Sequence, residues 1–101
     1  MIVMDWKTFA AMPAGTVFSF YTPCVCECLC RKGETICNAD GPIDFLSASI
    51  VAECDNGGPP AVDGMESRWG MYDYDQQFAV YEEPDIKMIL DLLTTNPKET
   101  A

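Results

Sequence analysis

The chain has 101 residues, of which 49% are apolar and 11% aromatic, and a net charge of −10. That is the composition of one folded domain spanning residues 1–101 rather than of a disordered chain, and no apolar run approaches the ~20 residues needed to span a bilayer. The acidic field disfavours direct binding to nucleic acid or to membrane phosphates and favours basic protein surfaces or cations.

The charge is uneven. Residues 1–50 hold three basic and five acidic residues, a balance of −2, whereas residues 51–101 hold three basic and eleven acidic residues, a balance of −8. The opening Met1-Ile2-Val3-Met4-Asp5 has no basic region followed by an apolar core, so it does not read as a signal peptide. A cytoplasmic setting is expected, in which the six cysteines are more often thiols than disulfides.

Asp5 can cap a short helix that starts at Trp6, with Met4 and Phe9 at the two positions of a hydrophobic staple. Trp6, Phe9 and Ala10 then share one side, and Pro13-Ala14-Gly15 ends the helix. Residues 16–21 are β-branched and aromatic and read as a strand, which Thr22-Pro23 interrupts. The run Cys24-Val25-Cys26-Glu27-Cys28-Leu29-Cys30 places a thiol at every second position, the period of a strand. Arg31-Lys32-Gly33-Glu34 is expected to turn and Thr35-Ile36-Cys37 to return, making a hairpin of 24–38. Asn38-Ala39-Asp40-Gly41-Pro42 is a second turn.

Residues 43–54 alternate at Leu46, Ala48, Ile50, Ala52 and Cys54. They suit a half-buried strand better than the helix that Pro42 could also open. Gly57-Gly58-Pro59-Pro60 is loop. Residues 77–81 make a short strand. Pro84 and Asp85 suit the first turn of a final helix, on which Ile86, Ile89, Leu90 and Leu93 share a face. Asn96-Pro97 stops it. The expected fold is α+β: a mainly antiparallel sheet of about four or five strands, with a short N-terminal and a longer C-terminal helix on one face.

Three chemistries compete for the cysteines. Alternate strand residues lie ~6.5–7 Å apart. A tetrahedral site with ~2.3 Å Zn–S bonds needs its sulfurs closer than that, so one straight strand cannot close four thiolates around a metal. Cys24 and Cys26 are an awkward disulfide pair for the same reason. The four thiols therefore read as the packed inner face of the hairpin. A metal site that adds Cys37 or Cys54 through a bend, and a redox role, remain as alternatives.

Catalysis is disfavoured and no cofactor is expected. There is no histidine, hence no Cys-His or Ser-His pair. Gly57-Gly58-Pro59-Pro60 has proline where a phosphate-binding helix would start. Asn38-Ala39-Asp40-Gly41 looks like half a calcium loop, but Ser49 stands where the bidentate glutamate is needed.

The partner-binding candidates lie in residues 63–85. Asp63, Glu66, Asp73, Asp75, Glu82, Glu83 and Asp85 surround Trp69, Tyr72 and Tyr74. Aromatic anchors inside a charged rim are the composition of many protein-protein contact surfaces. The competing reading is that the aromatics cap the open end of the sheet while the acids face water.

Trp6-Lys7-Thr8-Phe9 leads to Pro13-Ala14-Gly15-Thr16-Val17-Phe18, and Asp73-Tyr74-Asp75-Gln76-Gln77-Phe78-Ala79-Val80-Tyr81 precedes the last helix. In these two segments the chain resembles small acidic accessory proteins of bacterial viruses, anti-CRISPR and other anti-defence proteins among them. The resemblance implies a non-enzymatic, stoichiometric inhibitor in the bacterial cytoplasm, its acids occupying a basic, nucleic-acid-binding surface of a host complex as a nucleic-acid mimic. The alternatives are a sponge for a small molecule or nucleotide signal, which six basic residues serve poorly, and a cysteine-rich metal-binding protein.

Overall fold

A computed structural model describes residues 1–52, 59–62, 64–68 and 74–95. Helix α1, Trp6–Ala10, begins as the sequence suggests: the Thr8 N–H donates to Asp5 Oδ1 at 2.8 Å, satisfying a donor that the first turn leaves without a partner. Its apolar side is Trp6, Phe9 and Ala10, all buried, and Met4 packs beside them. After Pro13-Ala14-Gly15 come the strands β2 (Val17–Thr22), β3 (Val25–Asn38), β4 (Gly41–Ser49), β5 (Glu66–Arg68) and β6 (Gln77–Val80), and helix α2 (Glu83–Thr94). Strand β1 (Ile2–Met4) precedes α1.

The strands form one antiparallel sheet of six, in the order β1-β6-β2-β3-β4-β5. That is more than the four or five expected. The two additions, β1 and β5, are three-residue edge strands whose pattern is too short to read alone. The core lies on the face that α1 covers. Phe9 stacks on Phe78 with ring centroids 4.2 Å apart and contacts Phe18 at 4.6 Å and Phe45 at 5.1 Å. All four rings are essentially out of water. Such aromatic pairs add ~0.5–1.5 kcal/mol each beyond the area they bury.

Two local expectations fail for identifiable reasons. Arg31-Lys32-Gly33-Glu34 is not a turn but the middle of the 14-residue strand β3. Gly33 is buried there, at an irregularity in the pairing with β4 between Lys32 and Thr35, and the Glu66 carboxylate lies where a Cβ would be. It is glycine because another chain segment comes close. The chain turns instead at Pro23-Cys24, between the paired residues Thr22 and Val25, and, as expected, at Ala39-Asp40, between Asn38 and Gly41. In the latter the Asp40 N–H donates to Asn38 Oδ1 at 2.8 Å, the local bond that favours Asn in turns.

The second correction concerns the helices. α1 packs into the core, but no residue of α2 is buried. Ile86 and Ile89 are only half-buried, and Leu90 and Leu93 are exposed. The expected pair of helices packed on one face is thus realised by α1 alone. No helix among the described residues is long and apolar enough to cross a membrane.

Candidate functional site

The cysteine strand does not present one thiol face. Cys26 pairs with Tyr21 and Cys30 with Phe18, three residues apart on β2, so the two thiols point to opposite faces. The alternation breaks at a bulge: Glu27 opposes Phe20 and Cys30 opposes Phe18, leaving Cys28 and Leu29 against Ser19 alone. Cys28 accordingly takes a φ of 65°, in the left-handed region that usually calls for glycine. Cys24 takes 71° after Pro23, in keeping with the third position of a type II turn.

Cys30 is buried in the core, while Cys24, Cys26, Cys28 and Cys37 are exposed thiols. The packed inner face expected of the four thiols is therefore overturned for three of them. Cys54 lies outside the described residues. Among the described residues no three cysteine or carboxylate side chains are grouped to hold a metal ion.

The bulge is held from the other strand. The Ser19 hydroxyl, fully buried, donates to the Cys28 carbonyl at 2.5 Å and is paired with Tyr81 Oη at 2.7 Å. This network fixes where β2 and β3 change register and ties both to the residue that follows β6.

Of the partner-binding residues expected from the sequence, Asp63, Trp69, Tyr72 and Asp73 lie outside the described residues. Tyr74 is half exposed, but its ring meets Trp6 edge-on at 4.8 Å and its hydroxyl donates to the Ile43 carbonyl at 2.8 Å. It joins α1 to β4 and still presents one side to water. Asp75 is exposed beside it.

Glu82, Glu83 and Asp85 gather at the start of α2. The Glu82 N–H donates to Asp85 Oδ2 at 2.8 Å, and the Met1 ammonium lies 2.8 Å from Asp85 Oδ2 and 3.2 Å from Glu82 Oε1. The hydrogen bond from that ammonium, then the one from the Glu82 N–H, hold the Asp85 carboxyl below the usual aspartate range. Three acids at a helix N-terminus also oppose its positive end. Glu66 stands apart from this cluster, on β5 at the other edge of the sheet. Five strand spacings of ~4.8 Å put β5 about 24 Å from β1. The acids thus make two groups rather than one spot.

The basic residues are arranged differently. Lys32 is 1% exposed, its ammonium donating to the Gly33 carbonyl at 3.1 Å and to Thr35 Oγ1 at 2.5 Å. The Thr35 hydroxyl in turn donates to the Ala10 carbonyl at 2.6 Å, joining β3 to the end of α1. Burial pushes the lysine below its ordinary range, an effect partly offset by Glu34 and then Cys37. Arg68 Nε donates to Asp44 Oδ2 at 2.6 Å, and the Asp44 side chain is fully buried. Lys32 is therefore engaged inside the fold and Arg68, half exposed, is held on the buried Asp44, whereas Glu66, Asp75, Glu82 and Glu83 are open to water. Burial of Lys32 and of Asp44 removes one charge of each sign, so it leaves the acidic excess of the composition undiminished.

Sequence reasoning does not single out Met88 and Leu92 of α2, and it gives no sign that Leu90 and Leu93, on the apolar face it does identify, are exposed as well. For Met88 and Leu92 the signal was present: apolar residues fall on more of that helix than a single core-facing stripe requires. No family matches the chain, and no curated protein or solved structure is similar to it.

Proposed function

We propose that this protein is a non-enzymatic inhibitor of the phage type. Its acidic surface, divided between the cluster at the start of α2 and Glu66 at the far edge of the sheet, with Tyr74 as aromatic contact, binds a basic surface of a host defence or nucleic-acid-handling complex in the bacterial cytoplasm. One observation carries the reading: Lys32 is buried and Arg68 is held on Asp44, while four of the acids singled out from the sequence face water. Partner lysines and arginines find few competing cations on such a surface. Its field steers encounter with a basic partner over roughly a Debye length, ~8 Å at physiological salt. Tyr74, anchored on Trp6 and on the Ile43 carbonyl, supplies a rigid aromatic contact with one side free.

The test is affinity capture from a bacterial lysate at low and high salt, with the wild type beside a Glu66→Lys/Asp75→Lys/Glu83→Lys variant. The wild type is expected to hold a basic protein at low salt and to release it as salt rises, and the variant to hold none. Equal capture by the variant would remove the electrostatic mechanism.

A further inference from the structure

Six of the twelve residues of α2 are apolar: Ile86, Met88, Ile89, Leu90, Leu92 and Leu93. At 100° per residue they cover an arc of about 200°, roughly twice the stripe with which a surface helix usually meets its own core. A helix apolar around so much of its circumference is normally covered on more than one side. Here none of it is buried, and Leu92 and Leu93 are 71% and 74% exposed.

Charge chooses between two possible covers. Four acids, Glu82, Glu83, Asp85 and Asp91, stand at or along α2 and outnumber the two cations beside them, the Met1 ammonium on Glu82 and Asp85 and Lys87, 3.9 Å from Asp91. A second copy of the chain, itself carrying −10, would bring these acids against their own duplicates. A basic partner would pair with them. We infer that α2 is a docking helix. Its apolar face packs against an amphipathic helix of the partner protein, one whose apolar stripe is flanked by lysines and arginines. The inference rests on the basic-partner reading above and specifies the form in which that partner presents its charge.

The probe is a labelled leucine–lysine peptide with its leucines at helical spacing, titrated with the full chain and read by fluorescence anisotropy. A scrambled peptide of the same composition and a leucine–glutamate peptide of the same spacing serve as controls. The ordered basic peptide is expected to bind about tenfold tighter than either control or better. Leu92→Asp/Leu93→Asp is expected to abolish its advantage over the scrambled peptide. Glu83→Lys/Asp91→Lys is expected to weaken both basic peptides while keeping that advantage.

Equal binding of ordered and scrambled peptides, or undiminished binding by Leu92→Asp/Leu93→Asp, overturns the docking helix and leaves the basic-partner reading standing. No advantage of the lysine peptide over the glutamate peptide overturns both. A wild-type dimer in sedimentation that Leu92→Asp/Leu93→Asp converts to monomer assigns α2 to a second copy and overturns the inference. So does an unfolded Leu92→Asp/Leu93→Asp chain, because it places the leucines in the core.

Discussion

The two helices treat their apolar residues in opposite ways. α1 has five residues, and three of them, Trp6, Phe9 and Ala10, are buried. α2 has twelve, six of them apolar, and none is buried. Neither length nor helical period distinguishes the two outcomes. What does is what each helix meets: α1 lies over Phe18, Phe45 and Phe78, whereas α2 leaves the end of β6 without entering that cluster. An apolar period establishes that a helix forms but not which surface covers it. In the reading advanced above, the cover of α2 belongs to another protein.

The contrast can be broken first at its strongest point. Phe9→Ala removes the ring that stacks on Phe78 and touches Phe18 and Phe45, and it should cost about 3–5 kcal/mol in urea unfolding. Ser19→Ala comes next. It withdraws the hydroxyl that holds the Cys28 carbonyl and Tyr81, leaving a part-buried acceptor without that bond, and a loss of about 1–3 kcal/mol is expected. Cys28→Gly should act in the other direction. Relief of the left-handed strain outweighs the added chain entropy, for a gain of about 1 kcal/mol or less.

A smaller effect should appear as a pH dependence. Burial lowers the Lys32 pKa in the folded chain, so between that value and 10.5 the unfolded chain binds the proton more tightly. Stability contributed through Lys32 is therefore diminished at lower pH and recovered as pH rises through this window. Unfolding midpoints of wild type and Lys32→Met, compared across alkaline buffers, should diverge with pH, the wild type gaining on the variant. Parallel curves would mean that Lys32 is not desolvated.

Much of the first half of the fold is legible in the sequence because its signals are local. Asp5 caps α1 at the expected residue, Val17–Thr22 follows its β-branched and aromatic run, and Gly41–Ser49 is a strand as expected for this region, although it ends before Ile50 and buries Phe45 and Ser47 rather than Leu46 and Ala48. The errors arise where distant segments decide. Gly33 looks like a turn glycine until Glu66, far along the chain, lies across it. The thiols of residues 24–30 look like one face until the bulge opposite Ser19 turns part of the run over. The candidate surface is less legible than the fold. Composition announces the acids, but the burial of Lys32 and the pairing of Arg68 with the buried Asp44 depend on long-range packing. Composition suggests Tyr74 as an anchor, yet its seat on Trp6 links residues too distant for any sequence period to connect.

The most direct test of α2 as a recognition helix rather than a core helix is the urea unfolding of Leu92→Asp/Leu93→Asp measured beside Phe9→Ala. Two charges placed on the most exposed leucines of α2 should leave stability within about 0.5 kcal/mol of wild type, as at ordinary surface positions. Phe9→Ala falls by several kcal/mol in the same experiment. A comparable fall in the leucine variant would show that α2 belongs to the core and would contradict the account.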